Sequence, residues 1–265
     1  AYVEEGLKAL PEMAEIYPIG GAGDRLGLLQ PITNIPLPAA KLVYRGKTLL
    51  QGLIEDLEAR EHLYFQKFGK ACTTPIVLMT SHEKNNHTLI QEICEQNHWF
   101  GRGKENFLFM TQPLVPVISE EGNWVSESPF TLCTKPGGRG VLWLLAQKEG
   151  ILKELAHRGR RFALIRQINN PVAGTDNTLL ALAGAGVSQN KTFGFVGCQR
   201  LVKAAEGMDL LVQRKSKKET LYSLRNIEYT DFKKAGIEDV PSEANSPYSS
   251  FPANTNILFV DLQKI

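Results

Sequence analysis

Apolar and polar positions along the chain follow two alternating periods. Ile16, Tyr17 and Ile19 make a short apolar run that meets Gly20-Gly21-Ala22-Gly23, the profile of a buried strand entering a glycine turn. Ahead of it, residues 1–15 are mostly polar and predict a short helix or N-terminal arm. Residues 48–68 carry Leu49, Leu50, Leu53, Ile54, Leu57 and Phe65 at helical spacing with charges between them. Pro75 then introduces Ile76-Val77-Leu78-Met79, a run suited to a strand covered on both faces. A helix over 85–97, a strand at 107–109, a hairpin-like stretch at 114–133 and a helix over 140–157 follow. Residues 162–168 read as another strand, 175–186 as a small-residue helix, and 193–198 and 209–213 as strands. A Pro-, Ser- and Asn-rich loop over 239–255 precedes a last strand at 257–260. Strands that alternate with helices over most of a chain imply an α/β fold with a mainly parallel sheet. We expect one such domain over 16–265. An apolar strand so near the last residue leads us to expect a longer parent protein.

Composition narrows the function more than the fold. With 265 residues, 43% of them hydrophobic and 22% charged, the chain is an ordinary globular one, which excludes disordered and collagen-like classes. Thirty Lys plus Arg against 28 Asp plus Glu leave +2, too balanced for a polynucleotide binder. An anionic ligand would have to be held locally. No apolar run approaches the ~20 residues of a membrane span. The cysteines at 72, 94, 133 and 198 lack metal-site spacing and read as reduced, mostly packed thiols. The basic run 213–219 reads as a solvated hairpin tip, and the Asn-x-Ser/Thr triplets at Asn86 and Asn190 carry little weight.

Several motifs fail on one residue. Arg45-Gly46-Lys47-Thr48 ends like a P-loop, but Lys41 stands where the first glycine belongs. Gly21-Ala22-Gly23 begins a dinucleotide fingerprint that breaks at Leu26. His82-Glu83 would open a zincin helix, but His87 is one place late to share its face. What survives is Gly20-Gly21-Ala22-Gly23-Asp24-Arg25-Leu26-Gly27 after the first core strand. Glycines let several backbone N–H groups approach a polyphosphate, and Arg25 adds a guanidinium fork that matches phosphate oxygens. A plain glycine turn with a surface-paired Arg25 stands beside that reading.

This segment resembles the phosphate loop of the UDP-sugar (UDPGP-type) pyrophosphorylases, and further landmarks follow in that family's order. Lys47-Thr48-Leu49-Leu50-Gln51 resembles the segment opening the next helix, and Gln112, four places before Pro116, a uracil-contacting Gln. Pro136-Gly137-Gly138-Arg139-Gly140-Val141-Leu142-Trp143 resembles the loop that cradles uracil. Glu228-Tyr229 and Asn254-Thr255-Asn256-Ile257 resemble the segments that hold the sugar. Pro38-Ala39-Ala40 and Gln167-Ile168-Asn169-Asn170-Pro171 look most like the plastid branch of plants, whose relatives feed sulfolipid synthesis.

The resemblance implies a Rossmann-like, GT-A-like nucleotidyltransferase sheet with helices on both faces. It implies transfer of uridylyl from UTP to glucose 1-phosphate, with Mg²⁺ as cofactor, no nucleic-acid partner, no membrane insertion and an undetermined oligomeric state. The chloroplast stroma is the expected location, with the cytoplasm as alternative. By the same resemblance Arg25 and Lys41 are catalytic; Gly20, Gly21, Gly23, Asp24, Gln112, Gly137 and Gly138 bind the nucleotide; Asn170, Glu228, Asn254 and Asn256 bind the sugar. Plainer roles stay open: a surface lysine at 41, a solvent-facing Glu228, a loop turn at Asn254 and Asn256. One departure matters. The family carries Asp-Asn where this chain has Asn169-Asn170, and a neutral amide holds a hard dication far more weakly than a carboxylate. Asn169 and Asp176 are the expected metal ligands, or UTP itself holds most of the metal, or activity is reduced; an N-cap ahead of the following helix is the plainer role for Asp176. A nucleotide-binding module with impaired catalysis, or the same chemistry on another sugar phosphate such as GlcNAc 1-phosphate, remains an alternative.

Overall fold

The computed structural model describes residues 1–21, 26–168, 170, 176–216 and 219–265. The chain divides into two compact units, Ala1–Gly194 with Phe259–Ile265, and Phe195–Leu258. The first runs α1 (Tyr2–Ala9), β1 (Met13–Pro18), a small hairpin β2 and β3 (Val43–Tyr44, Lys47–Thr48), α2 (Leu49–Phe68), β4 (Ile76–Ser81) and α3 (Asn86–Gln96). It continues through β5 (Phe107–Gln112), short strands β6 to β9 (Leu114–Pro116, Ser126–Ser128, Thr131–Leu132, Thr134–Pro136), α4 (Leu142–Lys148), α5 (Ile151–His157), β10 (Phe162–Arg166) and α6 (Thr178–Ser188).

Its sheet has the order β10-β1-β4-β5, and every pairing in that series is parallel. The carboxyl ends of the four strands therefore share one edge. Each residue of β4 and β10 is buried, as parallel strands covered on both faces must be. Tyr17, Ile76, Leu78 and Phe107 point into a cluster with Leu50, Leu53, Ile54 and Leu57 of α2 and Ile90 and Ile93 of α3. Helix α2 starts where Thr48 Oγ1 accepts the Gln51 N–H (3.2 Å) and stops at Gly69 in the left-handed conformation (φ 66°). The expected bounds, 48–68, agree with it to within one residue.

Several boundaries differ from the pattern. The first strand begins at Met13 rather than Ile16, and of the helix or arm expected before it the structure shows the helix, α1, with Leu7, Ala9 and Leu10 buried. The single helix expected over 140–157 is two, because Gly150 at φ 76° breaks it. Phe65 is 51% exposed, and Arg60 takes the next buried place on the α2 stripe. Cys94 is buried, which pushes its thiol up to about 12, whereas Cys198 is exposed and not packed as expected.

Arg60 is buried because it has a partner. Glu15 on β1 accepts hydrogen bonds from Arg60 and from the Tyr17 hydroxyl, with Arg166 of β10 3.7 Å away. Arg166 Nη2 donates to Asp56 Oδ2 at 2.8 Å. Burial and the neighbouring Glu15 carboxylate hold the Tyr17 hydroxyl protonated, well above its ordinary pKa. The network ties α2 to the two central strands from inside the core. Helix α1 meets α6 differently, backbone on backbone: a Cβ on Gly6 would strike the Leu180 carbonyl, and one on Gly184 the Tyr2 carbonyl.

The second unit contains β11 (Phe193–Cys198, from residue 195), β12 (Met208–Lys215), β13 (Thr220–Ile227), α7 (Tyr229–Lys234) and β14 (Ala253–Asp261, to residue 258). Strands β12 and β13 form a regular antiparallel hairpin from Met208↔Ile227 to Lys215↔Thr220. Ser216 N–H donates to Glu219 O (2.9 Å), and the described residues of the expected basic tip, 213–216 and 219, are exposed. Arg200, buried, is held by Asp239 (2.7 Å) and the Leu201 and Ala204 carbonyls. No described helix is long and apolar enough to cross a membrane.

Two stability measurements follow from this packing. Helix propensity alone makes Gly184→Ala stabilising by up to about 1 kcal/mol; the contact with Tyr2 makes it destabilising by about 1–3 kcal/mol in urea unfolding. A gain would show that the helices do not touch there. Arg166→Met, which takes its cation from the half-buried Asp56 and leaves the buried Glu15 with Arg60 alone, is expected to cost about 1–3 kcal/mol. A cost below about 1 kcal/mol would mean the network is hydrated.

Candidate nucleotide site

The chain passes outward from β1 to β4 and β5, then crosses back to β10 on the other side of β1. The carboxyl ends beside β1 are thus a topological switch point, where α/β sheets leave a crevice for ligands. Ile19 still pairs with the sheet through its N–H to Met79 O (2.9 Å). At Gly20 the chain passes so close to the end of β4 that an added Cβ would lie 2.8 Å from the Thr80 carbonyl carbon and would strike the Gln112 amide. Gly20 is required here by space, and Gln112, buried at the end of β5, is its neighbour.

The second glycine pair reaches the same edge. Strands β6 and β9 pair Leu114 with Pro136, and Gly137 N–H donates to Pro113 O at 2.9 Å. That seats Gly137 next to the residue following Gln112. Gly138 has φ 77° with nothing within 4 Å of a built Cβ, so its glycine is demanded by the backbone and not by a crowded neighbour. Ala39 and Ala40 sink into the cluster that holds Ile19 and Ile168, which anchors the turn carrying Lys41. Among the described residues Lys41 has no ion-pair partner. Asn170, half-buried, follows two residues after the buried Ile168. Gly23, Asp24, Arg25 and Asn169 lie outside the described residues.

Asp176 stands one residue before Asn177, the N-cap of α6: its Oδ1 accepts the Thr178 N–H at 2.8 Å, and hydrogen bonds from the Thr178 side chain and N–H hold its carboxyl below the usual range. No group of three or more His, Cys, Asp or Glu able to hold a metal occurs among the described residues. The described residues therefore do not fit a carboxylate cage for Mg²⁺, and no chemistry is routed through one below.

Of the residues expected at the sugar, Asn170 lies in the first unit and Glu228, Asn254 and Asn256 in the second. Glu228 is exposed at the residue before α7, not within a strand, and its carbonyl accepts the Asp231 and Phe232 N–H groups. Asn254 and Asn256 belong to β14 rather than to a loop. Asn254 Oδ1 accepts the Asn256 N–H at 2.7 Å, and Asn256 sits at φ 59°, so the pair forms a kink within the strand. Gly207 brings the two segments together: its carbonyl accepts the Asn254 N–H (2.9 Å), and a Cβ there would lie 3.5 Å from Glu228 Oε1. A cavity of about 510 Å³ in this unit, lined by Arg200, Met208, Tyr229 and Phe232 among others, includes none of Glu228, Asn254 and Asn256.

Sequence reasoning missed Gly207, Ser81 and Asn86. Ser81 Oγ donates to Gly20 O (2.7 Å) and Asn86 Nδ2 to Ile19 O (3.1 Å). Beside them Thr80 Oγ1 meets His87 Nδ1 at 2.7 Å, and burial, with His82 nearby, lowers the His87 pKa. Nothing in the local pattern marked Asn86, which read as a weak glycosylation triplet.

The family model for UTP–glucose-1-phosphate uridylyltransferase matches residues 8–265. The chain is 49% identical over 259 residues to UTP–glucose-1-phosphate uridylyltransferase 3, chloroplastic, of Arabidopsis thaliana, covering 97% of this chain and 29% of that one. A UDP-sugar pyrophosphorylase of rice is 24% identical over 98% of the chain and 42% of its own. Among solved structures, the UDP-N-acetylglucosamine pyrophosphorylase of Trypanosoma brucei superposes with a TM-score of 0.76 at 20% identity, over 98% of this chain and 50% of that one. A Leishmania major UDP-glucose pyrophosphorylase variant with UDP-glucose superposes at 0.66 and 20%, over 98% and 51%. The chain thus spans less than a third of the Arabidopsis relative and about half of each of these structures. With its glycine turn at the switch point of a parallel sheet and a match over nearly its full length, this chain belongs to the UTP–glucose-1-phosphate uridylyltransferase family.

Proposed function

We propose that the chain carries the uridylyl-transfer site of a UTP:glucose-1-phosphate uridylyltransferase. The sugar phosphate oxygen attacks the α-phosphorus of UTP in line. A new P–O bond forms, the bond to the β-phosphate bridge breaks, and pyrophosphate leaves with its electrons. No protein nucleophile takes part, so catalysis rests on holding two anions in line and stabilising charge on the transferring group. Gly20, Gly21 and Gly23 N–H groups with Arg25 hold the triphosphate, and Asp24 belongs to the same turn. Lys41 neutralises phosphate charge. Gln112 with the Gly137-Gly138 backbone reads the uracil edge, and Asn170, Glu228, Asn254 and Asn256 bond sugar hydroxyls. The observation that carries this reading is the meeting of Gly20, Gln112 and Gly137 at the carboxyl ends of parallel strands.

The relative's printed name also supports a chloroplast location, with the stroma and sulfolipid supply as the finer expectation. Mg²⁺ is the expected cofactor by family resemblance alone. A module that binds nucleotide without turnover is the second reading, favoured by Asn169 where the family has Asp.

The test is pyrophosphate release from UTP with a panel of sugar 1-phosphates. Glucose 1-phosphate is expected to be the preferred acceptor; UTP binding without release on any acceptor would favour the second reading. Arg25→Ala is expected to lower kcat/KM by about 10²–10³, the cost of one charge-stabilising donor. Turnover at the unsubstituted rate would remove Arg25 from the phosphate site.

A further inference from the structure

Glu228 stands at the base of the β12–β13 hairpin, in extended backbone directly after β13, and the hairpin carries its face further. The antiparallel register sets Asp209 opposite Asn226 and Met208 opposite Ile227, so one step back Gly207 comes opposite Glu228. Opposite residues share a face of a sheet, and faces alternate along each strand. Asp209 and Asn226 therefore lie on the same face as Gly207 and Glu228. Distances agree with the register. A Cβ on Gly207 would lie 3.2 Å from Asn226 Nδ2, 3.4 Å from Asn226 Oδ1 and 3.5 Å from Glu228 Oε1. The side chain that Gly207 lacks thus leaves a notch bordered by the Asn226 amide and the Glu228 carboxylate, both on exposed residues.

The amide in that notch has a direction. Asn226 Nδ2 donates to Met208 O (3.4 Å) and to Asp209 Oδ1 (3.5 Å). Both bonds are long, but both engage the nitrogen, and Oδ1 is the end of the planar amide left over. Among the described residues Asn226 Oδ1 has no hydrogen-bond partner, and neither has the Glu228 carboxylate. Asp209 Oδ2 is buried without one as well. The notch is rich in acceptors and short of donors, and a ligand completes it by bringing O–H groups. A phosphate, itself an anionic acceptor, is repelled by two carboxyl groups. A metal ion is poorly served too, since no three His, Cys, Asp or Glu side chains gather among the described residues.

Resting on the sugar site proposed above, we propose that Asn226 is a further sugar-binding residue, its Oδ1 accepting a hydrogen bond from a ring hydroxyl beside the one that Glu228 holds. The residue then reads the hydroxyl pattern of the sugar 1-phosphate. A sugar that lacks the matching hydroxyl leaves the acceptor unpaired, which is how a polar site rejects an analogue of the same shape. A role in hairpin structure alone would lower activity on every acceptor alike.

The test is initial-rate pyrophosphate release with UTP and either glucose 1-phosphate or each of its monodeoxy analogues, for the unsubstituted chain, Asn226→Ala and Glu228→Ala. Asn226→Ala is expected to raise KM for glucose 1-phosphate about 3–10-fold, the worth of one hydrogen bond, with KM for UTP within about twofold. One monodeoxy analogue is expected to show that loss already with the unsubstituted chain, and Asn226→Ala to add nothing to it, as for two groups in direct contact. An unchanged KM for glucose 1-phosphate, an equal loss on every analogue, or a matching rise in KM for UTP would overturn the role. Glu228→Ala separates the two levels. If it raises the sugar KM while Asn226→Ala does not, the Asn226 contact alone falls. If neither variant changes that KM, the sugar site falls and the contact with it, and an unsubstituted chain that releases no pyrophosphate with any of these acceptors overturns both.

Discussion

The space beside Gly20 is the constraint on which the site depends. Strand β1 runs between β10 and β4, so at its carboxyl end the backbone must leave the sheet past the ends of its neighbours. The Thr80 backbone and the Gln112 amide already fill the volume a side chain would need. Only glycine lets the chain through. The same closeness that excludes a side chain sets the buried Gly20 against Gln112 and leaves Gly21 exposed, one residue further out at the switch point. Steric necessity in the fold and chemistry at the site thus have one cause.

A turn that tight is useful only on a rigid support. The Glu15–Arg60–Arg166–Asp56 network supplies one from beneath, crossing from β1 to β10 and to α2 with Glu15, Arg60 and Arg166 buried. Above it, Ser81 and Asn86 hold the last carbonyls of β1. Buried charge is expensive unless every partner is present, and such a cluster favours one arrangement of its strands over near alternatives. Phosphoryl-transfer chemistry without a protein nucleophile asks for that kind of fixity, because its catalysis is mostly the placement of donors.

What could be read from the chain alone was whatever depends on neighbours in sequence. The stripe from Leu49 to Leu57, the cap at Thr48 and the stop at Gly69 are local, and they mark α2 at both ends. The apolar run after Pro75 is likewise β4. The glycine turn was legible because its chemistry is concentrated in eight consecutive residues. The Glu15 network was not: Arg60 lies 45 positions from Glu15 and Asp56 110 from Arg166, and no periodicity links such pairs. Glu15 read as the end of a polar arm because its partners are invisible locally. Asn254 and Asn256 read as a loop because asparagines favour turns, and they do make one, inside a strand. Gly150 split a helix whose apolar spacing runs through it unbroken, since its left-handed conformation leaves no trace in the pattern.

The residues expected at the nucleotide, together with Asn170, belong to the first unit, and Glu228, Asn254 and Asn256 to the second. The central claim concerns the first, and it is tested most directly at the amides themselves. In ¹⁵N-labelled protein titrated with UTP, the Gly20 and Gly21 amide resonances are expected to shift and gain protection from exchange. UTP binding that shifts other resonances and leaves these two in place would contradict the account.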